Sequence, residues 1–106
     1  MATDILERLE ATIRARRLAP ADRSYTRQLL DGGTSRCAKK LGEEAVEVVI
    51  AAVHQDDKAL TAEAADLLYH LLVLLEMRGL ALADVLAVLD ARTAISGVEE
   101  KAARGS

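Results

Sequence analysis

Apolar positions recur at helical spacing along most of the chain and predict five helices. Ile5, Leu6, Leu9 and Ile13 follow the three-and-four spacing of an amphipathic helix. Glycine, proline and capping residues divide the rest of the pattern into segments. The predicted helices cover about residues 4–17, 24–31, 34–54, 57–78 and 82–93, with residues 18–23 as a connector and residues 96–106 as a polar, frayed tail. The expected fold is a single all-α domain over residues 1–106, a bundle around two long antiparallel helices, the third and the fourth.

The third predicted helix is apolar around more than half of its circumference. Its apolar side chains fill an arc of about 200°, whereas a surface helix usually has a stripe of about 100° or slightly more. They are Leu41, Ala45, Val46, Val48, Val49, Ile50, Ala52 and Val53. An arc this wide implies packing partners on two sides of the helix. Because short apolar-rich chains often complete their core with a second subunit, a homodimer is expected.

The remaining face of this helix carries an acidic stripe. Glu43, Glu44 and Glu47 share an arc of about 100° with Lys40. Like charges one turn apart destabilise a helix slightly, and one lysine offsets only part of that repulsion. A solvated charged surface is one interpretation of the stripe, and a binding site is the other.

The fourth predicted helix carries a second acidic pair, Glu63 and Asp66. The segment that follows, residues 67–75, is apolar on nearly all sides apart from His70, so burial is expected for it and for Asp66. In an antiparallel hairpin the two acidic pairs lie at similar heights along the helices and can face each other. Converging carboxylates repel unless a cation offsets them, and oxygen ligands suit Mg²⁺, with Mn²⁺ as a substitute.

Composition excludes several classes of protein. The chain has 106 residues, 51% of them hydrophobic, with two Tyr and neither Trp nor Phe, which is atypical of a β-rich protein. A net charge of −3 argues against nucleic-acid binding. Cys37 is the single cysteine, so no zinc set is present. Charged residues near the start and the lack of a long apolar run predict a cytoplasmic protein without a membrane partner.

Longer strings of residues resemble a known enzyme family. They are Ser24-Tyr25-Thr26, residues 39–47 (KKLGEEAVE) and residues 63–75 (EAADLLYHLLVLL). Together they resemble phosphoribosyl-ATP pyrophosphatases, a family within the all-α NTP pyrophosphohydrolase (MazG-like) superfamily. The resemblance covers about residues 5–92. It implies Mg²⁺-dependent hydrolysis of phosphoribosyl-ATP to phosphoribosyl-AMP and pyrophosphate, the second step of histidine biosynthesis. It also implies an intertwined homodimer.

The resemblance implies the metal ligands, and the chemistry of the implied reaction suggests the catalytic and substrate-binding candidates. The implied metal ligands are Glu44, Glu47, Glu63 and Asp66. The candidate catalytic residues are Glu43, Glu44 and Glu47, and whether Glu43 or Glu44 is the general base stays open. The candidate substrate-binding residues are Lys40, Lys39, Tyr25 and His70.

Three of these residues allow other interpretations. Tyr25 could touch the ligand or only pack within the fold. Lys40 could contact a phosphate or form an ion pair with Glu44 one turn later. His70 could be a metal ligand, a substrate contact or a hydrogen-bond partner of Asp66.

Two other functions remain open at this stage. A house-cleaning (d)NTP pyrophosphohydrolase of the same superfamily would share the fold and the acidic residues. A non-catalytic helical dimerisation module would explain the apolar arc but not the facing carboxylates. With only Tyr25 and Tyr69 available for stacking, recognition is expected to depend on phosphate and ribose more than on the adenine.

Overall fold

A computed structural model describes residues 3–93, which fold into five α-helices without a strand. The helices are α1 (Thr3–Ala15), α2 (Tyr25–Asp31), α3 (Gly33–His54), α4 (Asp57–Met77) and α5 (Leu82–Thr93). Two 3₁₀ turns, Arg16–Leu18 and Ala21–Arg23, occupy the connection between α1 and α2. The all-α prediction is confirmed for this part of the chain, and the predicted frayed tail lies outside it. None of these five helices is long and apolar enough to cross a membrane.

Local signals account for most helix boundaries. Ser24 caps α2, and its hydroxyl accepts a hydrogen bond from the Arg27 backbone N–H at 3.1 Å. Gly32 alone separates α2 from α3, so α3 begins earlier than predicted. The chain turns there through Gly33, whose φ of 82° favours glycine. In contrast, α1 ends before Arg17 because its last predicted turn tightens into the 3₁₀ form.

The helices α3 and α4 are the longest of those described, with 22 and 21 residues, and only two residues connect them. Asp56, the second of the two, caps α4 by accepting a hydrogen bond from the Ala59 backbone N–H at 2.9 Å. The contact between α3 and α4 is the most extensive between any two of the described elements. This contact positions the acidic residues of one helix beside those of the other.

The buried core lies towards one end of the α3–α4 pair. It consists of Ile13, Leu29, Leu30, Cys37, Leu72, Val73 and Leu82. The contribution of α3 is Cys37, near its start, whose thiol donates a hydrogen bond to the Leu29 carbonyl. Most of α3 therefore extends beyond the core, and Val49 and Val53 on it are 61% and 68% exposed.

The prediction that residues 67–75 are buried on all sides is wrong for the single chain. Leu68 is 45% exposed, although Leu72 and Val73 are buried as expected. The reason is that α1, α2 and α3 pack against α4 and leave the flank with Leu68 open.

Glu76, near the end of α4, connects that helix to α1 and to the 3₁₀ turn that follows α1. Its two carboxylate oxygens accept hydrogen bonds from Arg14 Nε at 3.1 Å and Arg17 Nε at 2.8 Å. Arg17 also donates to the Glu76 backbone carbonyl. Burial by itself raises the pKa of Glu76, but the hydrogen bonds and charges of Arg17 and Arg14 outweigh it and hold the pKa below its ordinary value.

We expect Glu76→Gln to lower the free energy of unfolding by about 1–3 kcal/mol near neutral pH, because two arginines lose a charged partner. A lowered carboxylate pKa stabilises the fold above the pKa of the unfolded chain, and that stability is lost as the pH falls through the folded-state pKa. The difference between wild type and variant should therefore shrink in acid. Urea unfolding at a fixed protein concentration measures it, with Glu7→Gln on the exposed surface of α1 as the control. Equal stabilities at neutral pH, or a difference that grows in acid, would contradict the expectation.

Candidate functional site

Three carboxylates converge where α3 and α4 are in contact. Glu44 on α3 and Glu63 and Asp66 on α4 each offer an oxygen, and these oxygens lie within 4.8 Å of one another. We call these residues the carboxylate cluster. The structure thus brings together three of the four acidic residues that the sequence predicted to face each other. Glu47 lies outside the cluster but near enough for its charge to act on Glu63.

Electrostatic repulsion is concentrated at Glu63. Partial burial raises its pKa, and the negative charges of Asp66, Glu44 and Glu47 raise it further. Asp66 itself is exposed, so the prediction of a buried aspartate is wrong. Glu44 and Glu63, in contrast, are half-buried. The cluster therefore combines high negative charge with access from solvent.

The chemistry of the cluster fits a hard divalent cation. Its donors are carboxylate oxygens from two rigid helices, without a thiolate or a contributing imidazole. Oxygen donors of this kind suit Mg²⁺ or Mn²⁺ better than metals that prefer nitrogen or sulfur. A cation at this position would also offset the repulsion that acts on Glu63.

His70 is a buried residue beside the carboxylate cluster. Its Nε2 lies 3.9 Å from Glu44 Oε1, so the carboxylate it faces is that of Glu44 and not that of Asp66. Burial lowers the pKa of His70, although the charge of Glu44 acts in the opposite direction. The imidazole is therefore mostly neutral near pH 7 and adds little positive charge to the cluster.

The nearest lysine is paired outside the cluster. Lys40 Nζ lies 3.1 Å from Glu43 Oε1, so the expected ion pair of Lys40 forms with Glu43 and not with Glu44. This hydrogen bond, more than the charge alone, lowers the pKa of Glu43 and raises that of Lys40. Glu43 is not a member of the cluster, and it lies about 100° around α3 from Glu44, at the edge of the acidic stripe. Lys39 is exposed and acts on Glu43 only through its charge.

Two aromatic rings flank His70. The ring centroids of Tyr69 and Tyr25 lie 5.0 and 6.1 Å from that of His70, both in edge contact. The Tyr69 hydroxyl forms a hydrogen bond with the buried Thr26 hydroxyl and thereby joins α2 to α4. Burial raises the pKa of Tyr69, and the Thr26 hydrogen bond opposes that shift.

Sequence reasoning missed the pairing of Thr26 with Tyr69. Both residues lie in the strings that carry the family resemblance, and that was the one signal available. Their contact joins helices that are distant in the chain, so no local spacing pointed to it.

Comparisons with known proteins agree with this geometry. The model of the phosphoribosyl-ATP pyrophosphohydrolase family matches residues 6–93. A phosphoribosyl-ATP pyrophosphatase from Nitrobacter winogradskyi is 62% identical over 96 residues, which cover 91% of this chain and 83% of that protein. One from Dinoroseobacter shibae is 58% identical over 100 residues, covering 94% and 98%. Phosphoribosyl-ATP pyrophosphatase 1 of Bradyrhizobium diazoefficiens is 60% identical over 96 residues, covering 91% of each chain.

Proposed function

The chain belongs to the phosphoribosyl-ATP pyrophosphohydrolase family, and we propose that it hydrolyses phosphoribosyl-ATP to phosphoribosyl-AMP and pyrophosphate. This reaction is the second step of histidine biosynthesis that the sequence resemblance implied. The observation that carries the proposal is the carboxylate cluster, which lies within the matched residues and suits a triphosphate bound with a divalent cation. The high identity over nearly the whole chain supports the same substrate.

We propose that the cluster residues Glu44, Glu63 and Asp66 hold Mg²⁺, with Glu47 as a further ligand at its edge. When bound, the ion would neutralise phosphate oxygens and lower the pKa of a bound water. The oxygen-only donor set and the mutual repulsion of the carboxylates support this assignment. Mn²⁺ has the same preference for oxygen and would serve as a substitute.

Among the candidate catalytic residues, the geometry favours Glu44 and Glu47 over Glu43 as the general base. Lys40 pairs with Glu43 and lowers its pKa, which makes that carboxylate a weaker base. Glu47 lies at the edge of the cluster, so the proposed ion would engage its carboxylate less fully than that of Glu44 and leave it freer to accept a proton. In the proposed step the water oxygen bonds to the α-phosphorus, its proton passes to the carboxylate, and the bond to the β-phosphate breaks.

Two of the proposed substrate-binding residues, Lys40 and His70, interact electrostatically with Glu44, and Tyr25 contacts the His70 ring. Lys40 would exchange its partner Glu43 for a phosphate oxygen, and exposed Lys39 would contribute charge from the edge. The neutral imidazole of His70 lies next to Glu44, and the Tyr25 ring is in edge contact with that imidazole.

We further propose that α3 and α4 form an antiparallel hairpin that a second copy of the chain completes as a homodimer. The supporting observation is an exposed apolar strip along α3, formed by Val46, Val49, Ile50 and Val53. Leu68 on α4 is exposed in the same way. Apolar side chains this exposed along one helix are typical of an interface.

For the reaction, we expect wild-type protein with Mg²⁺ to release pyrophosphate from phosphoribosyl-ATP faster than from a panel of dNTPs. Asp66→Asn and Glu47→Gln should each reduce turnover on the order of 100-fold, because each removes a carboxylate from the proposed metal and base chemistry. The matched control is Asp57→Asn, an exposed aspartate of α4 outside the cluster, which should keep wild-type turnover. Near-normal turnover of Asp66→Asn would overturn the site, and a preference for dNTPs would overturn the substrate.

For the interface, we expect light scattering to show a wild-type dimer and a Val49→Glu monomer, because the substitution puts a charge into the apolar strip. Val88→Glu tests the specificity of the effect. Val88 is 49% exposed but lies on α5, so this variant should remain dimeric. A monomeric wild-type protein with full activity would contradict the proposed dimer.

A further inference from the structure

Aromatic surface is scarce in this chain. The sequence holds neither Trp nor Phe, and its aromatic rings are those of two tyrosines and two histidines. His70 is buried, and Tyr69 is partly buried with its hydroxyl bonded to Thr26. His54 is exposed but lies ten residues beyond Glu44, about 15 Å along the axis of α3. Tyr25 alone combines an open ring surface with a position beside the site.

Tyr25 is linked to the carboxylate cluster through its contact with His70. The residue is 49% exposed, and its ring meets the His70 ring in edge contact, with the ring centroids 6.1 Å apart. His70 in turn lies against Glu44, a member of the cluster. Lys40 is close enough to Tyr25 for the two groups to interact electrostatically. Lys40 also interacts electrostatically with Glu44, so it lies within range of both Tyr25 and the cluster.

The backbone around Tyr25 is fixed on both sides. The Ser24 hydroxyl caps α2 by accepting a hydrogen bond from the Arg27 backbone N–H. The Thr26 hydroxyl is hydrogen-bonded to the Tyr69 hydroxyl on α4. Both Ser24 and Thr26 are buried, so Tyr25 is an exposed side chain between two anchored neighbours. An aromatic ring held in place before binding loses little conformational freedom when a ligand stacks on it.

We propose that Tyr25 is the platform on which the adenine of phosphoribosyl-ATP stacks. The inference rests on the proposed function and names the part of the site that recognises the base. Every nucleobase has a flat π-face, and stacking on an aromatic side chain strengthens binding about tenfold or more. The carboxylate cluster and Lys40 would then bind the phosphates, and Tyr25 the base.

The test compares the affinities of AMP and pyrophosphate for wild type, Tyr25→Ala and Tyr25→Phe in the presence of Mg²⁺. Calorimetric titration measures both ligands without turnover. We expect Tyr25→Ala to weaken AMP binding about tenfold or more and to leave pyrophosphate binding unchanged, because pyrophosphate has no base. Tyr25→Phe should bind AMP more tightly than Tyr25→Ala does. Leu80→Ala is the matched control, since Leu80 is also 49% exposed but lies in the turn before α5.

Three results would overturn the stacking role of Tyr25. They are equal AMP affinities of wild type and Tyr25→Ala, a parallel loss of AMP and pyrophosphate binding, and no advantage of Phe over Ala. The parallel loss would indicate a structural role instead. The proposed function fails by a separate criterion, the absence of pyrophosphate release from phosphoribosyl-ATP by wild type, and the AMP titration still decides the role of Tyr25 in that case.

Discussion

Repulsion among the carboxylates of Glu44, Glu63 and Asp66 is the constraint around which this fold is arranged. The three groups lie within 4.8 Å of one another across the contact between the two longest helices. The fold must hold α3 and α4 together against that repulsion, and burial together with the neighbouring negative charges raises the pKa of Glu63. Neutral His70 and the Lys40–Glu43 pair offset little of the repulsion. A bound divalent cation is the partner that would turn this repulsion into attraction.

The stabilising contacts are concentrated away from the cluster. The buried core contains residues of α1, α2 and the second half of α4. Glu76 holds α1 against α4 by accepting hydrogen bonds from Arg14 and Arg17. Further along α3, the exposed Val49 and Val53 leave an apolar strip uncovered. The chain is therefore well packed at the end that holds the buried core. Its other regions include the negatively charged cluster and the exposed apolar strip of α3. A metal ion and a second copy of the chain would complete those two regions in different ways.

Local sequence signals predicted much of the fold, since caps and glycines act over a few residues. Ser24 and Asp56 start α2 and α4 as their side chains suggested, and helical rise predicted that Glu44 would face Glu63 and Asp66. Contacts that depend on side-chain rotamers or on distant segments were not predictable. Lys40 has two acidic neighbours within reach on α3 and selects Glu43, and the Thr26–Tyr69 bond depends on how α2 sits against α4. The exposure of Asp66 likewise depends on how the helices pack around α4, which the local pattern of residues does not determine.

The most direct measurement is thermal unfolding of wild type and Asp66→Asn with and without Mg²⁺. Mg²⁺ should stabilise wild type, by about 2.7 kcal/mol when its concentration is 100 times the dissociation constant. Asp66→Asn should unfold at a higher temperature than wild type when divalent cations are absent, because one repelling charge is gone, and it should lose most of the stabilisation by Mg²⁺. The opposite result, an unchanged midpoint of wild type with Mg²⁺ or the same Mg²⁺ shift in both proteins, would contradict a metal site at the carboxylate cluster.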